Sequence, residues 1–139
     1  MIDDDPQTEP LFRKHLSRLR AQRQDEFIFA NSDAEALEIL EAGTEFDIAL
    51  VAIDRQDISG MGVFQQLKNR SLRVPRIALT SGENLTLIRR AMNDGATDFL
   101  TKPFSFADFI MTLNRVTREV EQRRRNWRER AEFSALRRE

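Results

Sequence analysis

Four polar residues stand where open α/β sheets gather their chemistry, at the carboxyl ends of strands. Asp3 and Asp4 follow the opening Met1-Ile2, Thr80 closes RIALT, and Lys102 follows DFLT. Each is ordinary alone, since acidic pairs and strand-end threonines are common. In order along the chain they bring carboxylates, a hydroxyl and an ammonium to one sheet edge, where ligands bind. The usual hydrolytic sets are missing from the sequence. There is no Ser-His-Asp arrangement, no glycine-rich phosphate loop and no histidine cluster. The single histidine, His15, lies in a helical pattern with no indicated partner, and is read as a helix residue. With no cysteine, disulfides and thiolate metal sites are excluded. A stand-alone enzyme is not indicated.

The elements that must position these groups centre on residues 46–60, FDIALVAIDRQDISG. Residues 48–53 form a continuous apolar run, suited to a strand covered on both faces. Asp54, Arg55, Gln56 and Asp57 break the run, and Ser59-Gly60 reads as a turn. Residues 27–30, 76–80 and 98–101 read as further strands, and Met1-Ile2 as the end of a short first one. Helical spacing predicts helices over 10–23, 34–42, 63–70 and 84–92. In the first, Leu11, Phe12, His15, Leu16 and Leu19 share a face; in the second, Ala36, Leu37 and Leu40 point inward. Asn31-Ser32-Asp33 and Asn84 supply helix starts, and Gly43 and Gly95 supply stops. Strands alternating with helices through short links imply a parallel sheet with helices on both faces.

A last helix begins at Ser105 with an apolar stripe of Phe106, Phe109, Ile110, Leu113, Val116 and Val120. Residues 117–139 contain neither proline nor glycine, so nothing obvious stops it. Trp127, Ala131, Phe133 and Leu136 continue an irregular apolar thread, broken at Arg123 and Arg124. Such a helix is longer than the sheet can cover, and pairing with a second helix is expected. A solvated extension of a longer protein is the alternative.

The length of 139 residues fits one domain plus an appendage. Apolar residues make up 40%, enough for a core, and charged residues 32%, enough for a well-solvated surface. A net charge of -1 leaves nucleic-acid binding to local patches. The arginines of 118–130 are such a patch, but Glu119, Glu121 and Glu129 interrupt them, so nucleic acid is not expected to bind here. No signal peptide and no apolar run long enough to span a bilayer is visible, so a cytoplasmic location is expected.

Residues 46–60 resemble the third strand of the bacterial two-component response-regulator receiver (CheY-like) domain. The pattern is an aspartate, four apolar residues, the acceptor position, a loop, and a D-G or S-G turn. LTS at Thr80 and DFLTKPF around Lys102 extend the likeness from Asp3 to about residue 118. The resemblance implies a flavodoxin-like, doubly wound, five-stranded parallel sheet of order 2-1-3-4-5 with an extended C-terminal helix. It implies a receiver domain over 1–117 and a helical extension over 118–139, leading toward an output domain outside this chain. It implies that Asp3 and Asp4 bind Mg²⁺, with Asp54 as a further carboxylate near the cation, and that Thr80 and Lys102 meet phosphoryl oxygens. Thr80 and Phe99 correspond to the switch pair, although Phe99 also reads simply as a buried strand residue. Lys102-Pro103 corresponds to a bond that is commonly cis.

Counted forward from Asp47 or back from Gly60, the phosphoacceptor position is Ala52. A methyl group neither attacks phosphorus nor ligates a metal. Asp54 is two residues on, roughly 6 Å along a strand, and in-line transfer tolerates little misplacement. Arg55-Gln56 also departs from the family's usual Met-Pro. Ala52 marks either a natural pseudo-receiver or a recent or engineered change in a working one. Retention of Asp3, Asp4, Thr80 and Lys102 favours the second, and Arg55-Gln56 the first. Two functions follow. One is a signalling receiver lacking its acceptor, served in its parent by a sensor histidine kinase or phosphotransfer protein and relaying its state through dimerisation. The other is a phosphorylation-independent protein-interaction module.

Overall fold

The apolar runs pair as parallel strands. In the structure, a computed structural model describing residues 1–3, 5–20, 26–43, 46–53 and 74–137, three strands form a sheet. They are β1 (Ala49–Ala52), β2 (Arg76–Thr80) and β3 (Asp98–Thr101), side by side in that order. Ala52 lies opposite Leu79, and Thr80 opposite Thr101, so the three strands finish at a common edge. Beyond β1, Ile2 makes single parallel bridges to Val51 and to Ala30. Its amide donates to the Leu50 carbonyl at 2.7 Å, and its carbonyl accepts from the Ala52 amide at 2.9 Å. On the far side the Asp3 amide donates to the Ala30 carbonyl at 3.1 Å.

The spatial order is therefore 2-1-3-4-5, an α/β flavodoxin-like arrangement. The first segment is short, as expected, whereas the second, expected as a strand over 27–30, contributes one bridged residue rather than a ladder. A ladder needs successive pairs, and Ile2 and Ala30 are joined by isolated bridges only. The Met1 ammonium donates to the Ile28 carbonyl at 2.7 Å, and burial pushes its pKa down to about 6.

Alternation along the strands splits the core into two layers. Val51, Ile53 and Ala78 face one side with Ile2 and Ala30, packed against α2 (Asp33–Glu41) and α3 (Leu85–Asn93) through Ala36 and Ala91. Leu50, Ala52, Ile77, Leu79 and Leu100 face the other. They meet Phe12, Leu16 and Leu19 of α1 (Thr8–Leu19) and Phe109, Leu113 and Val116 of α4 (Phe106–Arg137). Burial on both faces is why these strands read as unbroken apolar runs. Phe12, fully buried, stands edge-on to Phe27, Phe29, Phe104 and Phe109, with centroids 4.9 to 6.4 Å away.

The expected helix starts are capped by side chains. Ser32 accepts from the Glu35 amide, Asn84 from those of Thr86 and Leu87, and Ser105 from that of Asp108. Helix α1 starts two residues earlier than expected, with Pro10 in its first turn, where a missing N–H leaves no intrahelical bond unmade. Leu11 is a correction: expected on the inner face, it is 52% exposed, at the margin of a stripe that Phe12, Leu16 and Leu19 fill. Phe99 is another, at 41% exposed. It lies on the outermost strand, so it has a strand neighbour on one side only. The expected helix over 63–70, together with Asp4 and Asp54, lies outside the described residues.

Helix α4 runs for 32 residues, about 48 Å. Its first half covers the sheet, whereas residues 121–136 are all exposed. Arg115 pairs with Asp98 of β3, and Arg124 with Asp47 just before β1, at 2.9 Å. Among the described residues no helix is long and apolar enough to cross a membrane.

Candidate functional site

The common strand edge assembles the site. Asp3 follows the bridged Ile2, Ala52 ends β1, Thr80 ends β2, and Lys102 follows β3. Backbone bonds fix their spacing: the Ala52 amide is held by the Ile2 carbonyl, and the Lys102 amide donates to the Thr80 carbonyl at 2.7 Å. From that anchor the Lys102 side chain reaches across the edge, and its Nζ pairs with Asp3 Oδ2. The carboxylate's other oxygen, Oδ1, accepts from the Asp5 amide at 3.0 Å. The Asp3 side chain is 4% exposed and that of Lys102 26%. An acid this deep needs its charge compensated, and here an ammonium and a backbone N–H do so.

Thr80 is fully buried, and its Oγ1 accepts from the Gly82 amide at 3.1 Å. That turn requires Gly82, whose φ is +82° and whose missing Cβ would stand 2.9 Å from Thr101 Cγ2. The Lys102-Pro103 bond is cis, as the sequence led us to expect. Ala52, 2% exposed, puts a methyl group at this edge and belongs to the α1–α4 layer of the core.

Of the residues expected at the site, the structure brings Asp3, Ala52, Thr80 and Lys102 together. Asp4 and Asp54 lie outside the described residues. Phe99 is on the same strand as Thr101 but turned outward, beside a groove of about 730 Å³ along β3 and α4. The direct Asp3–Lys102 pair was not foreseen. Position 52, on the same edge, holds a buried methyl group and offers the lysine no acid.

Receiver domains generally bind Mg²⁺ at the phosphorylation site. Mg²⁺ wants near-octahedral oxygen coordination. Of the three carboxylates expected near it, Asp3 alone is described, and both its oxygens are engaged. Among the described residues no cluster of three metal-ligating side chains exists.

The family model of the response regulator receiver domain matches residues 1–114. The "Heme response regulator HssR" of Staphylococcus aureus (strain MRSA252) is 32% identical over 118 residues, covering 85% of this chain and 50% of that protein. The chain thus spans about half the length of such curated relatives. Among solved structures, NtrX from Brucella abortus superposes with a TM-score of 0.79 at 21% identity, over 89% of this chain and 27% of that one. A CheY-like receiver domain protein from Methanospirillum hungatei JF-1 gives 0.76 at 21% identity, over 88% and 94%. The signal receiver domain of an HD domain-containing protein from Pseudomonas fluorescens Pf-5 gives 0.77 at 22%, over 89% and 88%. These likenesses carry the fold, and the family match, which starts at Met1 and runs into α4, carries the membership: the chain belongs to the response regulator receiver domain family.

Proposed function

We propose that this chain is a receiver module without a phosphoacceptor, with Ala52 in the acceptor's place and residues 118–139 as the helical connection to an output domain. The observation that carries this reading is the position of Ala52. It ends β1 beside Ile2-Asp3, on the edge shared with Thr80 and Lys102. Thr80 and Lys102 keep the places of phosphoryl-binding groups, and Thr80 with Phe99 those of the switch pair. Without a carboxylate at position 52 the domain stays near its unphosphorylated balance. Its state passes to the output domain through α4 and through self-association. Exposed Met92 of α3, Phe99 of β3 and Met111 of α4 support a self-associating face. A sensor histidine kinase or phosphotransfer protein serves the acceptor-bearing form, and the setting is the cytoplasm. The module itself carries no enzyme activity in this reading.

The second reading, a phosphorylation-independent interaction module, draws on the Asp3–Lys102 pair, which leaves the pocket charge-balanced with no phosphoryl group. Intact-protein mass after incubation with acetyl phosphate and Mg²⁺ separates the two, run on this chain beside Ala52→Asp. The expected result is no adduct on the chain as it stands and one phosphoryl adduct on Ala52→Asp. No adduct on either favours the interaction module. An adduct on the unaltered chain refutes the assignment of Ala52 and makes Asp54 the acceptor to test.

A further inference from the structure

The pocket has solved its charge problem in a way that changes what it responds to. Asp3 is a nearly inaccessible carboxylate at the carboxyl edge of the sheet. One oxygen is held by a backbone amide, the other by the Lys102 ammonium. Such a carboxylate has two ways to be compensated, by a divalent cation or by an ammonium. Which one wins depends on how many other oxygens surround the ion. Mg²⁺ gives up its waters reluctantly and, beside those it keeps, is held by one or two carboxylates in near-octahedral geometry. The ammonium needs less: three donors on a flexible stem whose backbone is already fixed. Here the stem is fixed, because the Lys102 amide is bonded to the Thr80 carbonyl.

Ala52 tips the balance twice. It withdraws a negative oxygen that a metal would use. It also withdraws the carboxylate that would draw Lys102 toward β1, which leaves Asp3 as the acid the ammonium meets. We infer that the Lys102 ammonium is the resident cation of this pocket, standing beside Asp3 where a divalent metal would otherwise bind, so that the chain holds its site in a state indifferent to Mg²⁺. The inference deepens the proposed function and rests on Ala52 being the acceptor position. It adds a regulatory property: the ion that gates a receiver's chemistry no longer gates this one.

Manganese, whose free ion gives a strong magnetic-resonance signal, is the probe. The unaltered chain, in molar excess over the ion, should leave that signal undiminished, and its melting temperature should not move with Mg²⁺. Lys102→Met should melt lower in metal-free buffer, because it strands a buried carboxylate. It should also bind Mn²⁺ at least about tenfold more tightly than the parent and regain melting temperature on adding Mg²⁺. Adding Asp3→Asn to Lys102→Met should abolish both responses. Depletion of free Mn²⁺ by the unaltered chain overturns the inference, and that measurement needs no variant to fold. So does a folded Lys102→Met that gains no Mn²⁺ binding. The acetyl phosphate experiment on Ala52→Asp keeps the two claims apart. An adduct there, with Mn²⁺ bound by the unaltered chain, sinks the resident ammonium and spares the receiver reading. No adduct, with the predicted Lys102→Met behaviour, does the reverse.

Discussion

At the residue scale the strand edge carries the buried methyl group of Ala52 and the Lys102 ammonium paired with Asp3. Thr80 and Lys102 were legible in the sequence because each directly follows an apolar strand and each sits in a short motif. The pairing of Lys102 with Asp3 was not, since it joins residues 99 positions apart and depends on what stands at 52. Leu11 and Phe99 mark the same limit among apolar residues. Periodicity says which face a side chain is on, but not where the covering helix ends. Phe12 is the opposite case, a side chain whose position the pattern did give and whose ring stands against those of Phe27, Phe29, Phe104 and Phe109. Phe12→Ala should lower stability by about 3–5 kcal/mol, read as a fall in the denaturant midpoint with the slope unchanged. A loss under 1 kcal/mol would mean that the ring cluster closes over the gap.

At the element scale, the strands and helices that carry the site were legible wherever a local signal existed. Caps at Ser32, Asn84 and Ser105, and the stop at Gly95, gave boundaries to within a residue or two. The second strand, read over 27–30, was the exception in extent, because a single bridge leaves no alternation to read. The turn after β2 is the element on which the site leans most. Gly82 is in the left-handed region and pressed against Thr101. Gly82→Ala should therefore cost about 1–2 kcal/mol from conformation alone, with more from the Thr101 contact. Comparing denaturant midpoints with Gly43→Ala tests this, since Gly43 shares the positive φ but has open space around it. Equal losses in the two would remove the steric argument and leave only the backbone one.

At the scale of the whole molecule, a sheet covered on both faces is joined to a helix that outruns it by about 24 Å. Among the described residues the outrunning half pairs with the body through Arg124 and Asp47, both well exposed, and such a pair contributes at most about 1 kcal/mol. Folding of the body should accordingly be indifferent to residues 118–139, while self-association should not. A chain ending at 117 should keep its melting temperature within a few degrees and sediment as a monomer, against a dimer for the full chain. If both lengths sediment as dimers, the contact lies on the body, at the groove beside Phe99 and Met111. The outrun also carries Trp127, 60% exposed, the single tryptophan of a chain with no tyrosine. Tryptophan emission from this protein is therefore blind to the sheet and the pocket. It reports on the projecting helix alone, as a built-in fluorophore whose wavelength and quenching register when a neighbour arrives there, while far-ultraviolet dichroism follows the rest.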